Sequence, residues 1–219
     1  MADRMQENRT ELAERISRFV PKDGAVDPVE WLRFRRASAP SEPGHSISFP
    51  ALCVIAQGSK EVQLGEKRYR YDPAHFLIVT AAMPIASLII EASPERPFLS
   101  VLIRLDPVQV GSVMVEAGYP TPRADSSSSA MEVSLLDEHL LDAMLRLVRL
   151  QESPRESRFL TPLVTREILH RLLMGQQGNR LRQTAALGGQ THRIAEAIER
   201  LRRDFDQPLR IEELARDLG

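Results

Sequence analysis

The side chains able to do chemistry in this chain of 219 residues are few and scattered. Its five histidines are His45, His75, His139, His170 and His192, and no two of them sit two apart on one strand. A divalent metal with an open coordination position needs clustered histidines and a carboxylate, so this pattern argues against metal-assisted chemistry. Cys53 is the only cysteine. That excludes an intrachain disulfide and a cysteine-based zinc site, and it fits a reducing compartment. A Gly-x-Ser-x-Gly elbow, a phosphate-binding glycine loop and a dinucleotide glycine pattern are all absent from the sequence. The expectation is a protein that is not an enzyme and uses no metal or cofactor. What remains is binding. Cys53 and His75 sit on or beside apolar runs that could line a pocket, and His45 lies just before them. Cys53 reads either as a small buried hydrophobe or as a redox or electrophile sensor, which would need a lowered pKa. His75, after Asp72-Pro73, reads as a strand-entry residue hydrogen-bonded to the turn.

The stretch from Phe49 to Leu105 must position these residues. It holds short apolar runs at Leu52 to Ile55, Glu61 to Leu64, Tyr69 to Tyr71, Phe76 to Val79, Ser87 to Ile90 and Phe98 to Leu105. Turn formers separate them: Gln57-Gly58-Ser59, Gly65-Glu66, Asp72-Pro73, Met83-Pro84 and Ser93-Pro94. That close spacing predicts an antiparallel sandwich or barrel, which can enclose one small ligand. Between Lys60 and Leu64, Val62 and Leu64 are assigned to one face and the charges to the other, giving a strand with one wet side. Phe76 to Val79 and Leu88 to Ile90 are continuously apolar, so they are expected to be buried on both faces or to line an enclosed pocket.

Helices flank this stretch. From Asp3 to Val20, Leu12, Ile16 and Phe19 make one apolar stripe ended by Pro21, and Lys22-Asp23-Gly24 reads as a turn. Val29 to Arg36, with the only tryptophan, Trp31, reads as an edge strand, and Ala39 to Gly44 as a loop. Asp106-Pro107 opens a helix that Gly118 closes. Pro120 to Ala130 is a surface loop rich in proline and serine. Ser134 with Asp137 opens a helix bearing Leu136, Leu140, Met144 and Leu147. A second helix, from about Arg158 to Met174, follows Ser153-Pro154 and makes a helical hairpin with the first. Gly175 to Gln190 reads as a linker, Thr191 caps a last long helix ended by Pro208, and a new helix begins near Ile211.

Formal net charge is −1, so whole-chain charge directs the protein to neither nucleic acid nor membrane. Lysine occurs only at positions 22, 60 and 67. No apolar run approaches the ~20 residues that span a bilayer, and the expected location is the cytoplasm.

The tail from Thr191 to Gly219 carries Ile198-Glu199-Arg200, then Asp206-Gln207-Pro208-Leu209, then Ile211-Glu212-Glu213-Leu214-Ala215-Arg216-Asp217-Leu218-Gly219. It resembles the opening of the DNA-binding domain of AraC/XylS transcription regulators. Upstream, Pro50, Gln57-Gly58-Ser59-Lys60, Leu64-Gly65-Glu66, Tyr69-Arg70-Tyr71-Asp72 and Thr165-Arg166-Glu167-Ile168-Leu169 resemble the cupin-type N-terminal domain of one AraC subfamily. The resemblance covers nearly all of the chain from about Val29.

It implies an α+β protein in three parts. Residues 1–175 are a cupin-like sensor and dimerisation domain, an antiparallel β-barrel or sandwich followed by an α-helical hairpin. Residues 176–190 are a linker, and 191–219 the first helices of an incomplete helix-turn-helix domain. In that motif the second helix reads the major groove, and the chain stops before it, so the expectation is that a longer form carries the reader. Arg193, Arg210 and Arg216 could touch phosphates, although interspersed acidic residues fit a solvated helix better. The implied partners are DNA in the full-length protein, a small-molecule effector, a second copy of the chain paired through Leu136, Leu140, Met144 and Leu147, and RNA polymerase. A stand-alone cupin that binds a small molecule, or a metal-dependent cupin enzyme, is the competing class.

Overall fold

The structure is a computed structural model, and it describes residues 2–119 and 129–183. Ten strands form two antiparallel sheets. The larger has the order β1 (Gly24–Val29), β2 (Leu32–Ala37), β9 (Phe98–Arg104), β4 (Ala51–Gln57), β7 (His75–Val79), β10 (Met131–Leu135). The smaller runs β3 (Gly44–Ile47), β8 (Pro84–Glu91), β5 (Ser59–Leu64), β6 (Lys67–Tyr71). Buried residues from both sheets, among them Ile55, Leu77, Val62 and Ile89, pack into one cluster, so the sheets face each other as a sandwich. The other face of the larger sheet is covered by helices α1 (Ala2–Phe19), α2 (Pro107–Glu116), α3 (Glu138–Leu150) and α4 (Pro154–Met174), which share a second cluster with it. The predicted α+β, cupin-like sandwich with a helical hairpin is therefore the observed fold.

Strand periodicity divides the larger sheet between these two cores. In β7, Phe76 and Ile78 enter the cluster under the helices while Leu77 and Val79 enter the cluster between the sheets. A continuously apolar strand is the expected sequence for a strand covered on both faces. In the smaller sheet only one face is covered. Ile89 is buried, but Leu88 and Ile90 are half-exposed, which corrects the expectation that all three lie inside. Gly58 turns the chain from one sheet to the other with φ +82°, and a Cβ there would stand 2.3 Å from the Glu91 carbonyl oxygen. No residue with a side chain fits that corner.

Several boundaries differ from the sequence reading. The tryptophan lies in a two-residue turn, with β2 inside the sheet and β1 at its edge. Leu32 and Phe34 explain why, since both are fully buried under the helices. Gly44 belongs to a strand. So does Ser134, in β10, and the cap of α3 is Asp137 alone, whose carboxylate accepts from the backbone N–H groups of His139 and Leu140 at 2.9 Å. Asp106 caps α2 as expected, with Pro107 in its first turn. α4 starts at Pro154 rather than Arg158 and accommodates Pro162.

Residues 176–183 are not a linker. The backbone is helical again over 178–183, and Leu181 is fully buried. The Gln177 side-chain amide donates to Ser134 Oγ at 2.8 Å, and Arg180 pairs with Glu132, both on β10. Burial and these bonds to an edge strand hold the segment on the domain. The remainder of the expected linker, 184–190, and the whole 191–219 region, with Arg193, Arg210 and Arg216, lie outside the described residues, as does 120–128.

Leu136, Leu140, Met144 and Leu147 are between 0 and 3% exposed. They pack in the chain's own core with Leu12, Ile16, Leu169 and Leu172. Their apolar area is already removed from water, so they present no surface to a second copy.

Candidate ligand chamber

A chamber of about 390 Å³ lies between the two sheets, within the size range of small-molecule sites. The registers show which side chains face it. Across the larger sheet, one row runs Arg33, Leu102, Cys53, Leu77, Val133, flanked by Arg35, Ser100, Ile55 and by Ala51, Val79, Met131. Across the smaller sheet, Ile89, Lys60 and Tyr71 form one row and Ser87, Val62 and Tyr69 the next. The lining combines aliphatic side chains with three cations, Arg33, Arg35 and Lys60, and includes no Asp or Glu.

Lys60 corrects the sequence reading of β5. Side chains alternate along a strand, so Lys60 shares a face with Val62 and Leu64, and only Glu61 and Gln63 point the other way. It sits between Ile89 and Tyr71, which are 1% and 4% exposed. Burial pushes its pKa below the usual lysine range against an opposing effect of Cys53, and the like charge of Arg35 adds a smaller push in the same direction as burial. Arg33 is neutralised by Asp27, with bonds of 2.7 and 2.6 Å from Nε and an Nη atom. Among the described residues, neither Lys60 nor Arg35 has a carboxylate partner.

The three residues singled out from sequence fall in different places. Cys53 lines the chamber together with Lys60 and Tyr71. Desolvation pushes the Cys53 pKa up to about 11, against the pull of Lys60, and pushes Tyr71 well above its usual value. A thiol held neutral in this way is the opposite of a sensor cysteine. His75 is outside the chamber, its Nδ1 2.8 Å from Asp72 Oδ1 at the turn before β7. His45 is exposed on β3, one residue out of phase with the chamber-lining Ser46. Sequence reasoning passed over Lys60, Arg35, Tyr71 and Ser100. Parity on β5 was the available signal for Lys60. Arg35 became visible only once β2 was known to have a neighbour on each side.

Two larger clefts lie on the outer surface. The one of about 630 Å³ between α1, α3 and α4 is lined by arginines already paired, Arg15 with Glu11 and Glu152, Arg146 with Asp142 and Glu167. The other, about 700 Å³, is a polar groove between α1 and the strand ends. Of these three spaces, the inter-sheet chamber is the one that combines a largely apolar lining with cations that have no carboxylate partner among the described residues.

A two-sheet sandwich with a chamber between the sheets and helices on one face defines a cupin-like domain. The family described as AraC-type transcriptional regulator N-terminus matches residues 28–180, so the chain belongs to the AraC-type transcriptional regulators. Among solved structures, it is similar to ToxT from Vibrio cholerae bound to (E)-4-(8-methylnaphthalen-1-yl)but-3-enoic acid, with TM-score 0.54 and 10% identity over 86% of this chain and 72% of that one. It is also similar to the AraC-like transcriptional activator CuxR, with TM-score 0.42 and 10% identity over 89% of this chain and 68% of that one. At such identities the likeness shows the fold alone. No curated protein matches the chain.

Proposed function

We propose that this chain is the effector-sensing part of a DNA-binding transcription regulator, and that the effector occupies the chamber between the sheets. The observation that carries the reading is the chamber itself, a largely apolar space between the two sheets that no side chain of the described residues fills. In ToxT, a relative in fold, a small organic acid is bound, and a bound effector here would control expression through the DNA-reading region.

A route for the signal is built into β10. Met131 faces the chamber. Glu132 and Ser134, on the opposite face, hold Arg180 and Gln177 of the segment that leads toward the region resembling the DNA-binding domain. An effector that favours one position of β10 biases where that segment sits, and it shifts the equilibrium only by its preference for that position.

The test uses N-phenyl-1-naphthylamine, a neutral dye that fluoresces in apolar sites. It should titrate saturably onto the full chain. Ser100→Phe, which fills the chamber beside Arg35 and Ile55, should abolish that signal while the far-ultraviolet circular dichroism is unchanged. An undiminished titration in the folded variant places the site elsewhere.

A further inference from the structure

Resting on that reading of the chamber, we propose that its ligand is an apolar carboxylic acid, held by its carboxylate between Lys60 and Arg35 with its hydrocarbon body against Val62, Leu77, Val79, Ile85 and Met131. The geometry carries this. Two cations from facing sheets, without a carboxylate partner among the described residues, line one space with the aliphatic side chains of Val62, Leu77, Val79, Ile85 and Met131, and the lining offers no acidic residue to neutralise them. Lys60 is half-buried and Arg35 keeps contact with solvent, and a cation partly withdrawn from water at an inward-facing strand position gains from a counter-charge placed beside it. A bare inorganic anion would satisfy the charge and leave the aliphatic walls without a partner. A neutral hydrocarbon would do the reverse. Lys60 and Arg35 also repel one another in the empty protein, and a carboxylate placed between them turns that repulsion into two charge-assisted hydrogen bonds.

Binding should couple to proton uptake. Burial and Arg35 depress the Lys60 pKa in the empty chamber, and a carboxylate beside it raises that pKa again, so affinity falls as pH rises through the depressed value. The other groups facing Lys60 do not titrate in the same range. Cys53 titrates at about 11 and Tyr71 well above 10, and the remaining facing groups are the guanidiniums of Arg35 and of Arg33, the latter tied to Asp27.

The experiment displaces N-phenyl-1-naphthylamine from the full chain with decanoate, decan-1-ol and inorganic phosphate. Decanoate should bind roughly tenfold or more tightly than the alcohol, as a charge-assisted contact requires, and phosphate should displace nothing. Lys60→Met, which replaces a half-buried cation by an apolar side chain of similar length and should still fold, should bring decanoate down to the alcohol's affinity and flatten its dependence on pH. Arg35→Gln should weaken decanoate alone. Equal affinity for acid and alcohol, or an unchanged decanoate affinity in Lys60→Met, overturns the proposal. So does dye binding that responds to Ser100→Phe but is not displaced by decanoate, and that result leaves the chamber intact as a site. Failure of the dye itself to bind strikes the preceding reading instead.

Discussion

At the scale of single residues, Cys53 shows how one environment settles two competing roles. A sensor thiol needs nearby positive charge and access to water, which lower its pKa, whereas Cys53 has Lys60 nearby but is dominated by desolvation and stands at about 11. At neutral pH it is a thiol, and its chemistry is that of a small apolar side chain. Alkylation by iodoacetamide at pH 8 should accordingly be slower in the native chain than in urea by on the order of a hundredfold, the factor that the raised pKa takes from the thiolate fraction. Labelling at the unfolded rate would restore the sensor reading. Lys60 makes the complementary point. It is a long flexible cation between two buried neighbours, and among the described residues no carboxylate pairs with it.

At the scale of elements, α1 is held to the domain in two ways. Leu12 and Ile16 are fully buried, which supplies most of the adhesion through the apolar area removed from water. Polar contacts then fix its orientation. Arg149 of α3 donates to both oxygens of Glu11 at 2.8 and 2.6 Å, and Arg15 adds a bond of 2.7 Å before reaching on to Glu152. The Arg149 hydrogen bonds most of all, with Arg15 adding to them, outweigh the opposing effect of burial and pull the Glu11 pKa from 4.5 to about 2. The folded state therefore favours the charged form. Its contribution is present above the unfolded value near 4.5 and is lost as pH falls toward 2. Glu11 is 31% exposed, so solvent screening cuts the contribution to about 1 kcal/mol. Urea denaturation of Glu11→Gln should show a deficit of that size at pH 7 that narrows as pH drops below 4.5. A deficit independent of pH would mean that shape rather than charge was lost.

At the scale of the whole molecule, two cores on opposite sides of one sheet divide the work. The core under the helices is closed, and α3 is spent within it. Leu140→Asp should therefore cost more than about 4 kcal/mol, because it buries a carboxylate where an aliphatic chain was packed. Thermal melts should show a strongly destabilised chain. A variant that melted normally but halved its mass in light scattering would return this face to the role of a subunit interface. The core between the sheets is open, and its space is what makes it a site. Alternating apolar and polar residues, turn formers and caps are local properties, so the amino-acid sequence by itself determined the strands of the central stretch, the α1, α2 and α3 helices, the antiparallel sandwich and the resemblance to the AraC family. It could not show that Gly44 to Ile47 and Met131 to Leu135 pair as strands, because short, weakly patterned edge segments take their structure from a neighbour's hydrogen bonds. Nor could it show that residues 176–183 dock rather than swing. The meeting of Lys60 and Arg35 was decided only by the tertiary structure. Each belongs to a different sheet, and the space between them exists only when the two sheets are stacked face to face.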